Sequence, residues 1–224
     1  FFYQKRFEGT DQKVHQIDKY LAETANALGI ELDDKYEIEY GLSLPGGWDS
    51  KIPEKLLNEA FIIIHPRSSW ASKDWPLNRY YQLVEEFLNK GINIVISGGP
   101  AEASELDAKF GPLINQNRNQ YHEGRIFNLA GKLSLIEQFG LSKISNLFIG
   151  GDTGPLHLAA AAGVTCLALM GPTDPLTHGP YGKDNLVIHK NELECINCWE
   201  RKCPLKTNRC LAEITVQEVR ETAI

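Results

Sequence analysis

Hydrophobic and polar positions alternate in blocks along most of this chain, and two kinds of block follow one another. Short apolar runs predict strands that are buried on both faces, as in a parallel sheet. Longer stretches with apolar residues on one side predict helices. The predicted strands lie at residues 61–64, 92–96, 126–129, 144–149, 164–170 and 186–189. The predicted helices lie at residues 78–90, 101–110, 133–141, 156–162 and from about residue 215.

Strands that alternate with helices of this length predict an α/β fold, with a Rossmann-like parallel sheet covered by helices on both faces. The first part of the chain does not share this pattern. Residues 15–28 have helical spacing and Gly29 is the predicted stop, whereas residues 31–58 mix acids, glycine and proline. We predict that this second stretch is a linker with one short strand at residues 36–40.

The segment GGDTGPLHLAAAAG, residues 150–163, carries the clearest chemical signal. Pro155 suits the first turn of a helix, and the cap of that helix would be Thr153 or Gly154. The backbone amides at a helix start favour an anion such as a phosphate. The amides expected to point outwards here are those of Thr153, Gly154, Leu156 and His157. An ordinary strand-to-helix turn that binds nothing is the alternative.

Three further polar loops follow predicted strands. The loop at residues 65–76 contains Lys73, the loop at 97–105 contains Glu102, and the loop at 171–182 is rich in Gly, Pro, Thr and His. Because the carboxyl ends of parallel strands meet at one edge of a sheet, these loops are expected to lie together, where α/β proteins bind ligands. A cation, a carboxylate, amides and hydroxyls are the groups that a nucleoside diphosphate needs.

The motifs in these loops resemble those of glycosyltransferase family nine, the lipopolysaccharide heptosyltransferases, and most of all the ADP-heptose-dependent heptosyltransferase II branch. The resemblance covers about residues 61–220. It is carried by K-x-W-P (73–76), G-G-P-x-E (98–102), D-T-G-P-x-H (152–157), G-P-T-D-P (171–175) and C-x2-C-x4-C-P-x5-C (195–210).

The resemblance implies the C-terminal, donor-binding half of a GT-B glycosyltransferase, which has two Rossmann-like domains. On this basis residues 1–30 would be the end of an N-terminal acceptor domain that is mostly missing, 31–58 the interdomain linker, and 59–224 the nucleotide-sugar-binding domain. The general base would lie in the N-terminal domain, so no catalytic residue is assigned, and the 224-residue chain alone is expected to be inactive.

The resemblance also implies a set of donor-binding residues, in which Lys73 contacts the phosphates and Glu102 the ribose. A protonated His157 would add positive charge beside the leaving phosphate. The full set is Lys73, Glu102, Asp152, Thr153, Gly154, Pro155, His157, Thr173 and Asp174.

Structural roles remain open for several of these side chains. Asp152 could cap the turn, and Thr173 and Asp174 could hold their loop or touch the sugar. Arg67 departs from the glycine that many family members have there, and it could contact phosphate or adenine or point to solvent.

The implied reaction is the transfer of a heptose or related sugar, with inversion, from ADP-heptose to the lipopolysaccharide inner core, and it requires no metal ion. A sugar-nucleotide epimerase of similar fold and a non-enzymatic nucleotide-binding module are the alternatives. The net charge of -6 makes nucleic acid an unexpected partner. The chain has no apolar run that could span a bilayer. These features suggest a cytoplasmic protein that could rest peripherally on the inner membrane.

Four of the five cysteines lie close together, at Cys195, Cys198, Cys203 and Cys210. Such clustering makes a four-thiolate zinc site one reading. Reduced thiols that pack a loop, or disulfides formed on purification, are the others. The same stretch carries Arg201, Lys202, Lys206 and Arg209 around Trp199. These cations could meet the phosphates of a lipid-linked acceptor or form a solvated face. Cys166 lies in a predicted strand as a small buried residue.

Overall fold

The computed structural model describes residues 14–32, 38–118 and 124–224. It confirms the predicted α/β fold with a parallel sheet. The strands are β1 (Phe61–His65), β2 (Asn93–Ile96), β3 (Ile126–Asn128), β4 (Leu147–Gly151), β5 (Cys166–Met170) and β6 (Leu186–His189). The helices are α1 (Gln16–Leu28), α2 (Glu54–Asn58), α3 (Leu77–Asn89), α4 (Ala103–Arg118), α5 (Leu135–Lys143), α6 (Gly154–Ala161), α7 (Pro175–His178), α8 (Arg209–Ala212) and α9 (Val216–Ala223).

The strands are ordered β3-β2-β1-β4-β5-β6, and every neighbouring pair is parallel. The chain builds outwards from β1 to β3 and then returns to place β4 on the other side of β1. The strand order therefore reverses between β1 and β4, which leaves a crevice at their carboxyl ends. Any ligand site of a sheet with this order is expected at that crevice.

The two faces of the sheet form two apolar cores. Ile62 and Ile64 of β1 pack on one side with residues of α3, α4 and α9. Phe61 and Ile63 alternate to the other side and pack with residues of α2 and α6. This alternation follows from the two-residue repeat of a strand, and it explains why the strands are apolar throughout.

The predicted helix at residues 101–110 is longer in the structure, because α4 continues through Gly111 and Pro112 to Arg118. Glycine followed by proline normally ends a helix. Here Leu106, Phe110 and Leu113 fall on one helix face and are fully buried, so the continued helix covers the sheet. The free energy gained by burying this face of α4 outweighs the preference of Gly111 and Pro112 for ending the helix.

β4 begins later than the predicted strand at residues 144–149, and it extends through Gly150 and Gly151. Ile144 instead caps the end of α5 and is 38% exposed. A side chain at Gly150 would lie 3.0 Å from the carbonyl oxygen of His65. The glycine therefore allows β4 to stay paired with β1 up to the edge of the sheet.

α1 ends as predicted at Gly29, which adopts a left-handed conformation with φ 70°. Residues 38–40, the described part of the predicted strand at 36–40, have no regular secondary structure, and residues 36 and 37 lie outside the described residues. The end of the predicted linker packs on the domain, because Ile52 and Leu56 are buried in its core. Within the described ranges, no helix is long and apolar enough to cross a membrane.

The packing of Trp48 on Gly140 of α5 gives a stability prediction. A Cβ added at Gly140 would overlap the Trp48 ring. We expect Gly140→Ala to lower the free energy of unfolding by about 1–3 kcal/mol, as overpacked sites do, measured by urea denaturation. With Trp48→Ala in place, the same change should cost little. Equal costs in both backgrounds would show that Trp48 does not rest on this glycine.

Candidate functional site

The crevice between β1 and β4 brings together two loops that are far apart in sequence. β1 leads to a 3-10 turn at Ala71–Lys73, and β4 leads directly to Asp152. The backbones touch at Gly151, where an added Cβ would lie 2.9 Å from the carbonyl oxygen of Lys73. A larger residue at Gly151 would push the loops apart, so the glycine permits the lysine and the aspartate to meet.

The carboxylate of Asp152 is the centre of this site. Its Oδ2 accepts hydrogen bonds from Lys73 Nζ at 2.6 Å and from Thr173 Oγ1 at 2.7 Å. Its Oδ1 lies 3.1 Å from Nε2 of His157. The motifs after β1, β4 and β5 therefore converge on one carboxylate, which is only 8% exposed. This contact answers the open question about Asp152, because its side chain binds partners from other loops.

Asp152 is ionised despite its burial. Burial alone would raise the pKa of its carboxyl group, but the hydrogen bonds from His157, Lys73 and Thr173, together with the charge of Lys73, outweigh that effect. The pKa is held well below its usual range. A permanent negative charge therefore fixes the ammonium group of Lys73, which has three donors and gives one of them to Asp152.

Trp70 completes the surroundings of Lys73, and this role was not predicted from the sequence. The ammonium nitrogen lies 4.2 Å from the centre of the Trp70 ring, a cation–π contact. The guanidinium of Arg201 lies 5.3 Å from the same ring. The signal available in the sequence was a tryptophan three residues before the lysine, but ring stacking on cations cannot be derived from spacing.

The start of α6 has the predicted cap, with one correction to the expected free amides. Thr153 is the N-cap, and its Oγ1 accepts a hydrogen bond from the amide of Leu156 at 3.4 Å. The amides of Leu156 and His157 both donate to the carbonyl of Thr153, so neither points outwards as expected. Pro155 has no amide hydrogen. Of the predicted set, the amides of Thr153 and Gly154 have no hydrogen-bond acceptor among the described residues.

Glu102 follows β2, the neighbour of β1, and lies outside the Asp152 cluster. A Cβ added at Gly99 would lie 2.7 Å from Oε2 of Glu102, so the carboxylate folds back over the end of β2. Among the described residues it makes no contact with Lys73 or Asp152.

The two polar residues of the loop between β5 and α7 have different roles. Thr173 is fully buried and donates to Asp152, whereas Asp174 caps α7 by accepting from the amide of Leu176 at 3.0 Å. Of the two roles considered for Asp174, the structure shows the one that holds the loop. His178 follows in α7, and burial lowers the pKa of its imidazole.

Arg67 is held in ion pairs. Its guanidinium contacts Asp74 at 3.2 Å and also pairs with Glu105 at the start of α4. Asp74 in turn accepts from the amide of Ser68 at 2.8 Å. Arg67 therefore fixes the shape of the loop that carries Lys73, and neither of its carboxylate partners was recognisable from the sequence.

A cavity of about 250 Å³ lies next to the site, beside His157. Its polar and aromatic lining comes from α1, α6, α7 and the loops near them. The lining residues are His15, Gln16, Ile17, Tyr40, His157, Thr177, His178 and Tyr181. His157 thus stands between the Asp152 carboxylate and a space large enough for a small polar molecule.

The cysteine loop, residues 195–210, does not contain a formed metal centre. Its four cysteines line one small cavity together with Ser72 and Pro172. Within the part of the chain that the structure describes, no three His, Cys, Asp or Glu side chains are arranged to hold a metal ion. The zinc reading is therefore unsupported. Cys166 is fully buried in β5, as predicted.

The cysteine loop nevertheless bears on the site, because its backbone binds both flanking loops. The amide of Ser72 donates to the carbonyl of Arg201 at 3.3 Å, and the amide of Trp199 donates to the carbonyl of Pro172 at 2.9 Å. Ser72 and Pro172 are the neighbours of Lys73 and Thr173. The loop thus connects the backbones of two segments that meet at Asp152.

The protein-family model described as Glycosyltransferase family 9 (heptosyltransferase) matches residues 1–208 of the chain. Lipooligosaccharide heptosyltransferase 2 of Campylobacter jejuni is 28% identical over 211 residues, which are 93% of this chain and 63% of that protein. Lipopolysaccharide heptosyltransferase 1 of Pseudomonas aeruginosa is 26% identical over 89% of this chain and 52% of its own length. The chain therefore spans less than two thirds of these relatives.

Solved structures show the same fold. A family 9 glycosyltransferase from Veillonella parvula matches 99% of this chain and 62% of its own, with a TM-score of 0.72 and 21% identity. An E. coli heptosyltransferase with ADP matches 99% of this chain and 59% of its own, with a TM-score of 0.68 and 19% identity. The chain thus has the architecture of about half of these larger structures.

His65 at the end of β1 gives a pH prediction. Its imidazole is 2.9 Å from the Ser97 hydroxyl, and burial lowers its pKa to about 4. Unfolding returns this pKa to about 6.5. The unfolded chain therefore binds more protons between these values, and His65 should reduce stability by about 3 kcal/mol as pH falls from 6.5 to 4. We expect His65→Asn to flatten the pH dependence of urea unfolding across that range. An unchanged slope would contradict the assignment of a neutral, buried imidazole.

Proposed function

The chain belongs to glycosyltransferase family 9, and on that basis we propose that it is the donor-binding part of a heptosyltransferase. In the proposed reaction a heptose moves from ADP-heptose to the inner core of lipopolysaccharide, with inversion at the anomeric carbon. The names of the relatives support the transferred sugar and the acceptor. A solved E. coli heptosyltransferase with bound ADP-2-deoxy-2-fluoro heptose, whose fold this chain shares, supports the donor.

The observation that carries this proposal is the convergence of Lys73, Thr173 and His157 on Asp152 at the strand-order reversal. In the proposed complex the diphosphate lies against the start of α6, where the Thr153 and Gly154 amides face it. Lys73 donates its two remaining hydrogens to phosphate oxygens. Asp152 does not contact the phosphate, since like charges repel, and it orients the lysine from behind.

The proposed chemistry is a single displacement. A hydroxyl oxygen of the acceptor attacks the anomeric carbon from the face opposite the nucleotide, and the bond between that carbon and the β-phosphate oxygen breaks through an oxocarbenium-like state. ADP leaves with an additional negative charge, which Lys73 and the α6 amides stabilise. The hydroxyl proton passes to a general base in the N-terminal domain. The proposal requires no metal ion.

The other predicted site residues take supporting places in this proposal. Glu102 accepts hydrogen bonds from ribose hydroxyls, at a strand end where carboxylates often do so. His157 faces the sugar and the β-phosphate. Asp174 holds the loop that presents Thr173. Residues 1–30 would end the acceptor domain and 31–58 would link it to the donor domain, in an enzyme of the cytoplasmic face of the inner membrane.

Replacing Lys73 tests the phosphate role. We expect Lys73→Ala to weaken ADP binding by about 1.5–3 kcal/mol, the range for hydrogen bonds to charged groups, with little recovery in Lys73→Gln. Adenosine, which lacks phosphates, should bind equally to all three proteins. Isothermal titration calorimetry measures both ligands. In the full-length enzyme, product analysis with ADP-heptose and core-deficient lipopolysaccharide should show a matching loss of transfer.

Lys190→Ala is the matched control, because Lys190 also forms an ion pair and is 17% exposed against 13% for Lys73. Its partner is Glu218, away from the crevice. ADP affinity should be unchanged in this variant. Equal losses for ADP and adenosine in Lys73→Ala would mean that the lysine acts through folding, and a wild-type enzyme that transfers no heptose would refute the proposed reaction.

Gly154 tests the helix start. No atom lies within 4 Å of a Cβ built there, so Gly154→Val should fold with an almost unchanged melting temperature. A phosphate that approaches this backbone would meet the valine, and ADP binding should be lost. Thr153→Ser keeps the cap and should be mild, whereas Thr153→Val should cost about 1 kcal/mol of stability. Normal ADP binding by Gly154→Val would exclude this loop as the phosphate site.

A further inference from the structure

One exposed surface lies beside the proposed donor site, and none of its side chains is among the proposed donor contacts. It lies on the cysteine loop and combines two apolar side chains with three cations, an arrangement that we call the basic face. Its residues are Trp199, Arg201, Lys202, Leu205 and Lys206. Trp199 is 45% exposed and Leu205 is 58% exposed. Residues 199–206 carry a single carboxylate, Glu200, whereas the whole chain has a net charge of -6. The basic face therefore carries a positive charge, whereas the protein as a whole is negatively charged.

The backbone of the loop is fixed while these side chains point outwards. Trp199 donates its amide to Pro172, and the carbonyls of Glu200 and Arg201 accept from the Ser72 hydroxyl and amide. These bonds direct the main chain inwards. The side chains of the basic face are therefore presented on an ordered loop, which lowers the entropy that docking would cost.

Trp199 has a backbone conformation that is unfavourable for its type. Its φ is 60°, in the left-handed region that bulky side chains rarely adopt. The Trp199 ring contacts His178 of α7 edge-on, with ring centres 4.5 Å apart, and Leu176 on the same short helix is 67% exposed. Backbone strain of this kind clusters at functional sites.

The cations are available for a partner. Within the described ranges Lys202 and Lys206 form no ion pair, and Arg201 rests on the Trp70 ring. Arg209, by contrast, is paired with Glu213 at 2.5 Å, so it is not part of the basic face. Lysine, arginine and an exposed tryptophan beside a leucine are the groups that proteins place at the headgroup level of an anionic bilayer.

We propose that the basic face is a docking surface for an anionic phospholipid bilayer. Trp199 and Leu205 enter the headgroup region, and Arg201, Lys202 and Lys206 bind the lipid phosphates. Because Arg201 and Lys73 lie against the same Trp70 ring, docking would bring the Asp152 crevice close to the membrane surface. The surface does not depend on the proposed transfer reaction, since it recognises any anionic lipid.

Vesicle flotation tests this inference with the 224-residue chain. Vesicles of 7:3 phosphatidylcholine and phosphatidylglycerol, a ratio of about one anionic lipid in three, should carry the protein upwards, and pure phosphatidylcholine should not. The triple variant Arg201→Glu, Lys202→Glu, Lys206→Glu should lower the partition coefficient by about a hundredfold or more, since each cation near an anionic surface strengthens binding by about fivefold. Raising the salt concentration should have a similar effect, because salt screens exposed charges.

Two control variants match these changes. Lys90→Glu, Lys143→Glu, Lys183→Glu makes the same change in net charge at exposed positions elsewhere and should retain binding within about twofold. Trp199→Ala with Leu205→Ala should weaken binding, whereas Tyr20→Ala with Leu28→Ala on α1 should not. Equal flotation on both vesicle types, or equal losses in the two triple variants, would overturn the proposal. Binding of ADP is measured separately, so failure here leaves the donor site untouched.

Discussion

The arrangement of the crevice depends on one buried, ionised carboxylate. Asp152 has little contact with water, and a carboxylate in that position is costly unless its oxygens are matched by donors. An ammonium, a hydroxyl and an imidazole from separate segments supply those donors. The position of each donor is therefore set by its hydrogen bond to the same carboxylate. Removing the carboxylate would leave the ammonium, the hydroxyl and the imidazole without their shared hydrogen-bond partner.

Glycine at two successive positions makes this meeting possible. Gly150 lets β4 run beside β1 to the edge of the sheet, and Gly151 lets the backbone of the Lys73 loop approach. The carboxylate of Asp152 then follows directly after the end of β4. Arg67 on the first loop and the cysteine loop on its outer side restrict the same segment further. Contacts with the end of β4 on one side, and with Arg67 and the cysteine loop on the other, therefore fix the position of Lys73.

The sequence predicted the order of strands and helices, the cap at Thr153 and the four polar loops, because these follow from local periodicity and turn chemistry. It did not predict the partners of Arg67, the stacking of Trp70 or the continuation of α4 through Pro112. Each of these depends on residues distant in sequence or on burial against the sheet. For the same reason the sequence could propose that Asp152 belongs to a site but could not identify the carboxylate as its centre.

The separation of Lys73 and Asp152 by 79 positions also has a consequence for folding. The two loops can meet only when β4 has paired with β1, across the intervening segment that forms β2 and β3, and contacts over such distances form slowly. The cysteine loop, which joins both segments, is made later still during synthesis. A partly folded chain therefore lacks the crevice altogether. A nucleotide that binds there would bind only the completed fold and would shift the folding equilibrium towards it.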